Sequence, residues 1–185
     1  MPALPALLAL AADTRWMIPA LAVHLAWAAP TVREIVERQH TRAFWSGTLD
    51  RDALLTRMLP ENYPPSQAVD RLVPAGEKVW LVWMRAYTYY FPRDFRVDCV
   101  FESWRFDELI DQAPTVDDVP RRLLAEGFRY VLVNDRFMIT ESAKEMYPGR
   151  TKRIVSRYTE AVDRGYLKTI YEWRSVNLYE VVSPP

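Results

Sequence analysis

Residues Val79-Trp80-Leu81-Val82-Trp83-Met84 run without a charged or strongly polar side chain. A strand of that kind buries both faces, which places it among the inner members of a sheet covered by helices on either side. The run opens the stretch Lys78–Glu102, KVWLVWMRAYTYYFPRDFRVDCVFE. That stretch reads as a strand over Val79–Met84, a short aromatic helix or turn over Arg85–Phe91, a breaker at Pro92 and a second strand over Arg96–Phe101. The rest of the chain reads as cover and connection for this unit.

Downstream, Pro114–Glu126 carries Thr115-Val116-Asp117-Asp118 at its start, where hydroxyls and acids suit the free amides of a first helical turn, and Gly127 at its stop. Phe128–Asn134 (FRYVLVN) follows at once as another apolar strand. A helix that ends at glycine and runs straight into such a strand is the joint of a βαβ unit, which implies parallel pairing. Helical segments over Glu141–Tyr147 and Lys152–Arg164, closed by Gly165, lead to Leu167–Trp173 and Val176–Val182, a hairpin turning at Arg174-Ser175. Upstream, Asp50–Leu59 and Gln67–Val73 read as edge helices, punctuated by Pro60, Pro64 and Pro65.

The N-terminal part differs in kind. Pro2–Ala12 and Trp16–Val32 are apolar and separated by Asp13-Thr14-Arg15. The second piece has 17 residues without formal charge, at the low edge of the roughly 17–25 needed to span a bilayer. A membrane helix, a signal peptide and a buried helical hairpin are the three readings of this segment, and the first is preferred because Trp16 and Trp27 suit membrane interfaces. Thr31-Val32-Arg33-Glu34 has the form of a capping box opening a new helix toward Phe44. The predicted class is α/β: a small mixed, mainly parallel sheet with flanking helices and a C-terminal β-hairpin, preceded by a hydrophobic helical segment. Residues 1–32 would be membrane-like, 33–77 a helical stalk with edge helices, and 78–185 a soluble α/β domain.

Several chemistries are excluded. Twenty-four basic and 24 acidic residues cancel, which removes the bulk electrostatic argument for a nucleic-acid partner. None of the five glycines forms a dinucleotide or phosphate-loop motif. The only histidines, His24 and His40, precede the α/β domain, so a Ser-His-Asp triad cannot lie inside it. Cys99 alone can form neither an intramolecular disulfide nor a cysteine metal site, and the sequence calls for no metal and no cofactor. Asp94, Asp98, Asp107, Glu108, Asp117, Asp118 and Asp135 fall near expected strand ends, where α/β proteins place ligand loops. Their commonest roles are caps, turns and solvated charges. Arg85, Arg93, Asn134 and Arg136 suit a phosphate or a sugar hydroxyl, and the rim Arg85, Arg93 and Asp94 is the first place to look for a ligand.

The order "MPALPALLALAA", a further membrane-like segment, "RDALLTRMLP", "PAGEKVWLVWMRAYTYYFPRDFRVD", "RRLLAEGFRYVLVND" and "IYEWRSVNLYEVV" resembles the C-terminal end of bacterial polytopic glycosyltransferases. The family is the dolichyl-phosphate-mannose–protein mannosyltransferase-like superfamily, GT-C type and family 39-like. The pattern L-x-x-x-G-x-x-Y-V-L-V-N at Leu123–Asn134 carries most of the likeness. The resemblance implies a small soluble α/β domain that follows the last membrane helix, extracytoplasmic, in an enzyme taking its sugar from a polyprenyl-phosphate-linked donor. Membrane lipid and that lipid-linked donor would be its partners. The family's catalytic acids lie in an early loop that corresponds to no part of this chain, so the resemblance implies no catalysis by these residues alone. A stand-alone, membrane-anchored module is the alternative, binding carbohydrate or protein through Tyr87, Tyr89, Tyr90 and Trp104.

Overall fold

The computed structural model describes residues 14–38, 41–84, 88–97, 104–139 and 148–185. The chain forms two compact units, Met1–Met58 and Leu59–Pro185.

The first unit is helical. Helix α1 spans Thr14–Arg38, with Pro19 and Pro30 inside it. The expected capping box is not used, because the helix runs through Thr31 without a break. Pro30 already has a helical φ and gives up one hydrogen bond, while Arg33 Nε donates to Glu37 Oε1 across one turn at 2.8 Å. At about 1.5 Å per residue α1 has the length of a bilayer core. Its apolarity falls short: eight of the 17 residues of the uncharged stretch are alanine, histidine or proline, and Arg33, Glu34, Glu37 and Arg38 follow. Among the described residues no helix is long and apolar enough to cross a membrane, which corrects the expected membrane helix over Trp16–Val32. Residues 1–13, the first apolar piece, lie outside the described residues. Helix α2 (Thr41–Trp45) ends at Gly47, φ 72°. Helix α3 (Arg51–Met58) starts where Asp50 Oδ1 accepts from the Ala53 amide at 2.7 Å.

The second unit is the α/β body. Helix α4 (Tyr63–Leu72) begins before Pro64-Pro65, since the first turn has no intrahelical bond for a proline to break. Strands β1 (Val79–Val82), β2 (Phe95–Val97), β3 (Tyr130–Asn134), β4 (Leu167–Trp173) and β5 (Val176–Val181) form one sheet in the order β2-β1-β3-β5-β4. Helices α5 (Trp104–Asp111) and α6 (Asp118–Ala125) join β2 to β3, and α7 (Asp135–Ile139) and α8 (Pro148–Asp163) join β3 to β4. The expected helix over Glu141–Tyr147 lies outside the described residues.

Strand β1 is parallel to β2 and to β3, as the helix-glycine-strand joint requires. The "mainly parallel" expectation is corrected at the other side. The hairpin docks through its second strand, so β5 runs antiparallel to both β3 and β4, and five register pairs join β3 to β5 against four between β1 and β3. The sheet is mixed in equal measure by pairing.

Alternation sends Trp80, Val82, Val131 and Val133 to one face, where Phe106, Ile110, Leu123, Ile154 and Tyr158 from α5, α6 and α8 cover them. Val79, Leu81, Tyr130 and Leu132 face the other way, against Val69 and Val73 at the end of α4. Both faces of β1 are fully buried. Two left-handed glycines set the helix-to-strand joints. Gly127 (φ 84°) lets the Phe128 amide reach the Leu123 carbonyl at 2.9 Å, and Gly165 (φ 73°) lets Tyr166 reach Ala161 at 2.9 Å.

Candidate functional site

The carboxyl ends of parallel strands are where an α/β sheet presents side chains to a ligand. Here β3 ends at Asn134, and Asp135 starts the next turn. Because β5 is antiparallel to β3, its beginning lies at the same edge: Val133 is opposite Asn177 and Asn134 opposite Val176. The Asp135 amide donates to the Ser175 carbonyl at 2.8 Å, which ties this edge to the hairpin turn.

Three side chains close around the Asp135 carboxylate. The Tyr158 hydroxyl, from α8, donates to Oδ1 at 2.6 Å, and the Asn177 amide donates to Oδ2 at 2.7 Å. The Tyr179 hydroxyl donates to Oδ2 at 3.3 Å and accepts from the Tyr158 hydroxyl at 2.9 Å, so the single Tyr158 proton is shared between Asp135 and Tyr179. Ser175 Oγ donates to the buried Asn134 Oδ1 at 3.3 Å. Burial raises the Asp135 carboxyl above its ordinary range, against the opposing pull of the three donors. Burial likewise pushes Tyr179 up to about 12 and Tyr158 further upward, so both phenols remain neutral donors near neutral pH. Asn177 Oδ1 is buried without a partner among the described residues. This arrangement can hold a carboxylate in place. Both carboxylate oxygens are engaged, on a residue that is only half-buried.

The residues singled out from sequence go to different places. Arg93 turns inward upon α4: it donates to the Asp70 carboxylate (3.0 Å), the Asp70 carbonyl (2.9 Å) and the Val73 carbonyl (3.2 Å). It therefore fastens the β1–β2 connection to the C-terminus of that helix, whose last carbonyls need donors. The Asp94 carbonyl accepts from Val79 at 3.0 Å at the start of β1, and its residue is exposed. Arg85, Asp98, Cys99, His40 and Tyr87 lie outside the described residues. Arg136 lies 3.6 Å from Glu61. Asp117 accepts from Arg164 and Tyr166, 3.1 and 3.0 Å away. Asp118 Oδ2 takes the Thr115 amide and hydroxyl at 3.0 and 2.8 Å, bonds that hold its carboxyl below the usual range. Glu108 accepts from Gln112 at 3.0 Å. Asn134 and Asp135 are brought together with Tyr158, Ser175, Asn177 and Tyr179, which sequence reasoning did not select. The one available signal was Asn177, a polar residue near the start of a strand whose only charged residue is Glu180. Among the described residues no group of three His, Cys, Asp or Glu side chains is placed to hold a metal ion.

No protein-family model matches this chain, and no curated protein matches it. Among solved structures, the C-terminal globular domain of an oligosaccharyltransferase from Archaeoglobus fulgidus is similar, at 13% sequence identity and a TM-score of 0.45 over 72% of this chain and 99% of that one. A likeness at that level carries no argument.

Proposed function

We propose that this chain is the non-catalytic α/β module of a polytopic membrane glycosyltransferase of the GT-C type, the family its sequence resembles. The observation that carries the reading is the surface of helix α1. Ile18 is 77% exposed, Val23 70% and Trp27 81%, and Met17, Leu21, Leu25, Val32 and Ile35 are exposed with them. Apolar side chains exposed along so much of one helix are ones meant to be covered, and the membrane helices of such an enzyme supply apolar cover without α1 having to span the bilayer itself. The Asp135 cluster supports the non-catalytic part of the reading, because its carboxylate is spent on Tyr158, Asn177 and Tyr179. In this role the module sits on the extracytoplasmic side, and the polyprenyl-phosphate-linked sugar donor is bound by the membrane-embedded part.

A tag placed at the chromosomal 3′ end, after Pro185, tests this. The expected product is a membrane-extracted polypeptide much larger than the 21.7 kDa of this sequence. A tagged product of that small size, released by salt without detergent, would overturn the proposal.

A further inference from the structure

Beside the edge strand β2, helices α5 and α6 leave a cleft of about 320 Å³, near the lower end of the roughly 300–1,000 Å³ typical of small-molecule sites. Trp80, Leu109 and Ala125 give it an apolar floor, and Arg105, Gln112 and Arg122 stand among its walls. Its acids are already engaged: Gln112 Nε2 donates to Glu108 at 3.0 Å, and Arg96 Nη1 pairs with Glu126 at 3.0 Å. Counting Arg96, three guanidinium groups and two carboxylates stand in or beside the cleft.

The second observation lies in the floor. Trp80 is wholly buried, yet its indole N–H has no acceptor among the described residues. Buried indole N–H groups are donors that ordinarily find a partner. The ring is covered by the Arg96 guanidinium, 4.6 Å from its centroid, which also lies 5.8 Å from Phe128. Glu126, itself a wall of the cleft, holds Arg96 there.

We propose that this cleft binds a small organic oxyanion, a carboxylate or a phosphate monoester carried on an apolar or ring-shaped body. The oxyanion engages Arg122 and competes with Glu126 for Arg96. As Arg96 moves to the oxyanion the Trp80 ring loses its cationic cover, which changes the surroundings of the indole, and the body of the ligand lies along Leu109 and Ala125. Nothing in this depends on the membrane-enzyme reading above. A guanidinium suits either anion, because its planar fork matches both carboxylate and phosphate oxygens.

The test uses the full chain in mild detergent with ¹⁵N-labelled tryptophan, and benzoate, phenyl phosphate and neutral benzyl alcohol as probes. Loss of one indole peak in Trp80→Phe assigns the Trp80 resonance. The expected result is a saturable shift of that resonance at millimolar benzoate or phenyl phosphate and none with benzyl alcohol. Arg122→Ala should weaken the effect by about tenfold or more. The tighter of the two anions identifies the ligand as carboxylate or phosphate ester. The remaining six of the seven tryptophan indoles report whether the variant is folded, and Arg122→Gln replaces it if it is not. A Trp80 peak unmoved by either anion, moved equally by benzyl alcohol, or moved with unchanged affinity in the folded arginine variant would each overturn the proposal.

Discussion

Asp135 shows how one residue's surroundings set its value to the fold. Its carboxylate takes two short bonds, from Tyr158 and Asn177, and a longer one from Tyr179. Asp135→Ala strands a buried phenol and an amide, and is expected to cost about 2–3 kcal/mol in urea denaturation. Asp135→Asn should cost under about 1 kcal/mol, because Asn177 can rotate its amide and offer the new Nδ2 an oxygen that is now unpartnered. The pH dependence has a definite sign. The folded carboxyl titrates above its unfolded value of about 4, so its contribution is complete below that pH and is lost as pH rises through the folded pKa. A wild-type stability that falls over this window, and an Asp135→Asn stability that falls less, is the expected pair of denaturation profiles. Equal slopes would show that burial of Asp135 is not felt as a pKa shift.

At the scale of elements, the helix ends were the most legible features, because capping chemistry is local. Gly127 and Gly165 occupy the positions their φ values suit, whereas the expected cap over Thr115–Asp118 is not made as read: α6 starts at Asp118, and its N-cap Asp117 forms no side-chain cap hydrogen bond. Gly127 has φ 84° and open space where a Cβ would stand, so Gly127→Ala meets no clash and loses about 1 kcal/mol to backbone strain alone. Gly149 lies within α8 without a left-handed φ and with equal space, so the same change there should gain about 0.5–1 kcal/mol. Thermal midpoints of the two variants should therefore move in opposite directions. The clamp from Arg93 to Asp70 and Val73 was not legible: its partners are 20 and 23 residues distant, and an arginine after proline carries no local sign of whether it faces solvent or the end of a helix. Helix α1 was misread at Thr31 for a related reason, since a sequence that can cap a helix does so only where the chain before it is not already helical.

For the whole molecule, the second face of the sheet decides what can stand alone. Val69 and Val73 close the layer over Val79, Leu81, Tyr130 and Leu132, and Trp173 Nε1 donates to the Pro60 carbonyl at 2.7 Å. A fragment of residues 59–185 is expected to fold with a cooperative melt. A fragment of 78–185, cut where the sequence alone suggested a domain edge, lacks that cover and should bind a hydrophobic dye and aggregate. Comparable melts for both fragments would count against the role given to α4. The sequence by itself determined the buried strands, the glycine-stopped helices, the closing hairpin and the parallel pairing of β1 with β3, because each follows from side-chain periodicity or from the reach of a short joint. Only the tertiary structure decided that the hairpin joins through β5, that α1 runs unbroken through Thr31, and that Asp135 is bonded by residues 23, 42 and 44 positions away. Contacts at such separations depend on which surfaces the chain brings together, and no local pattern of side chains encodes that choice.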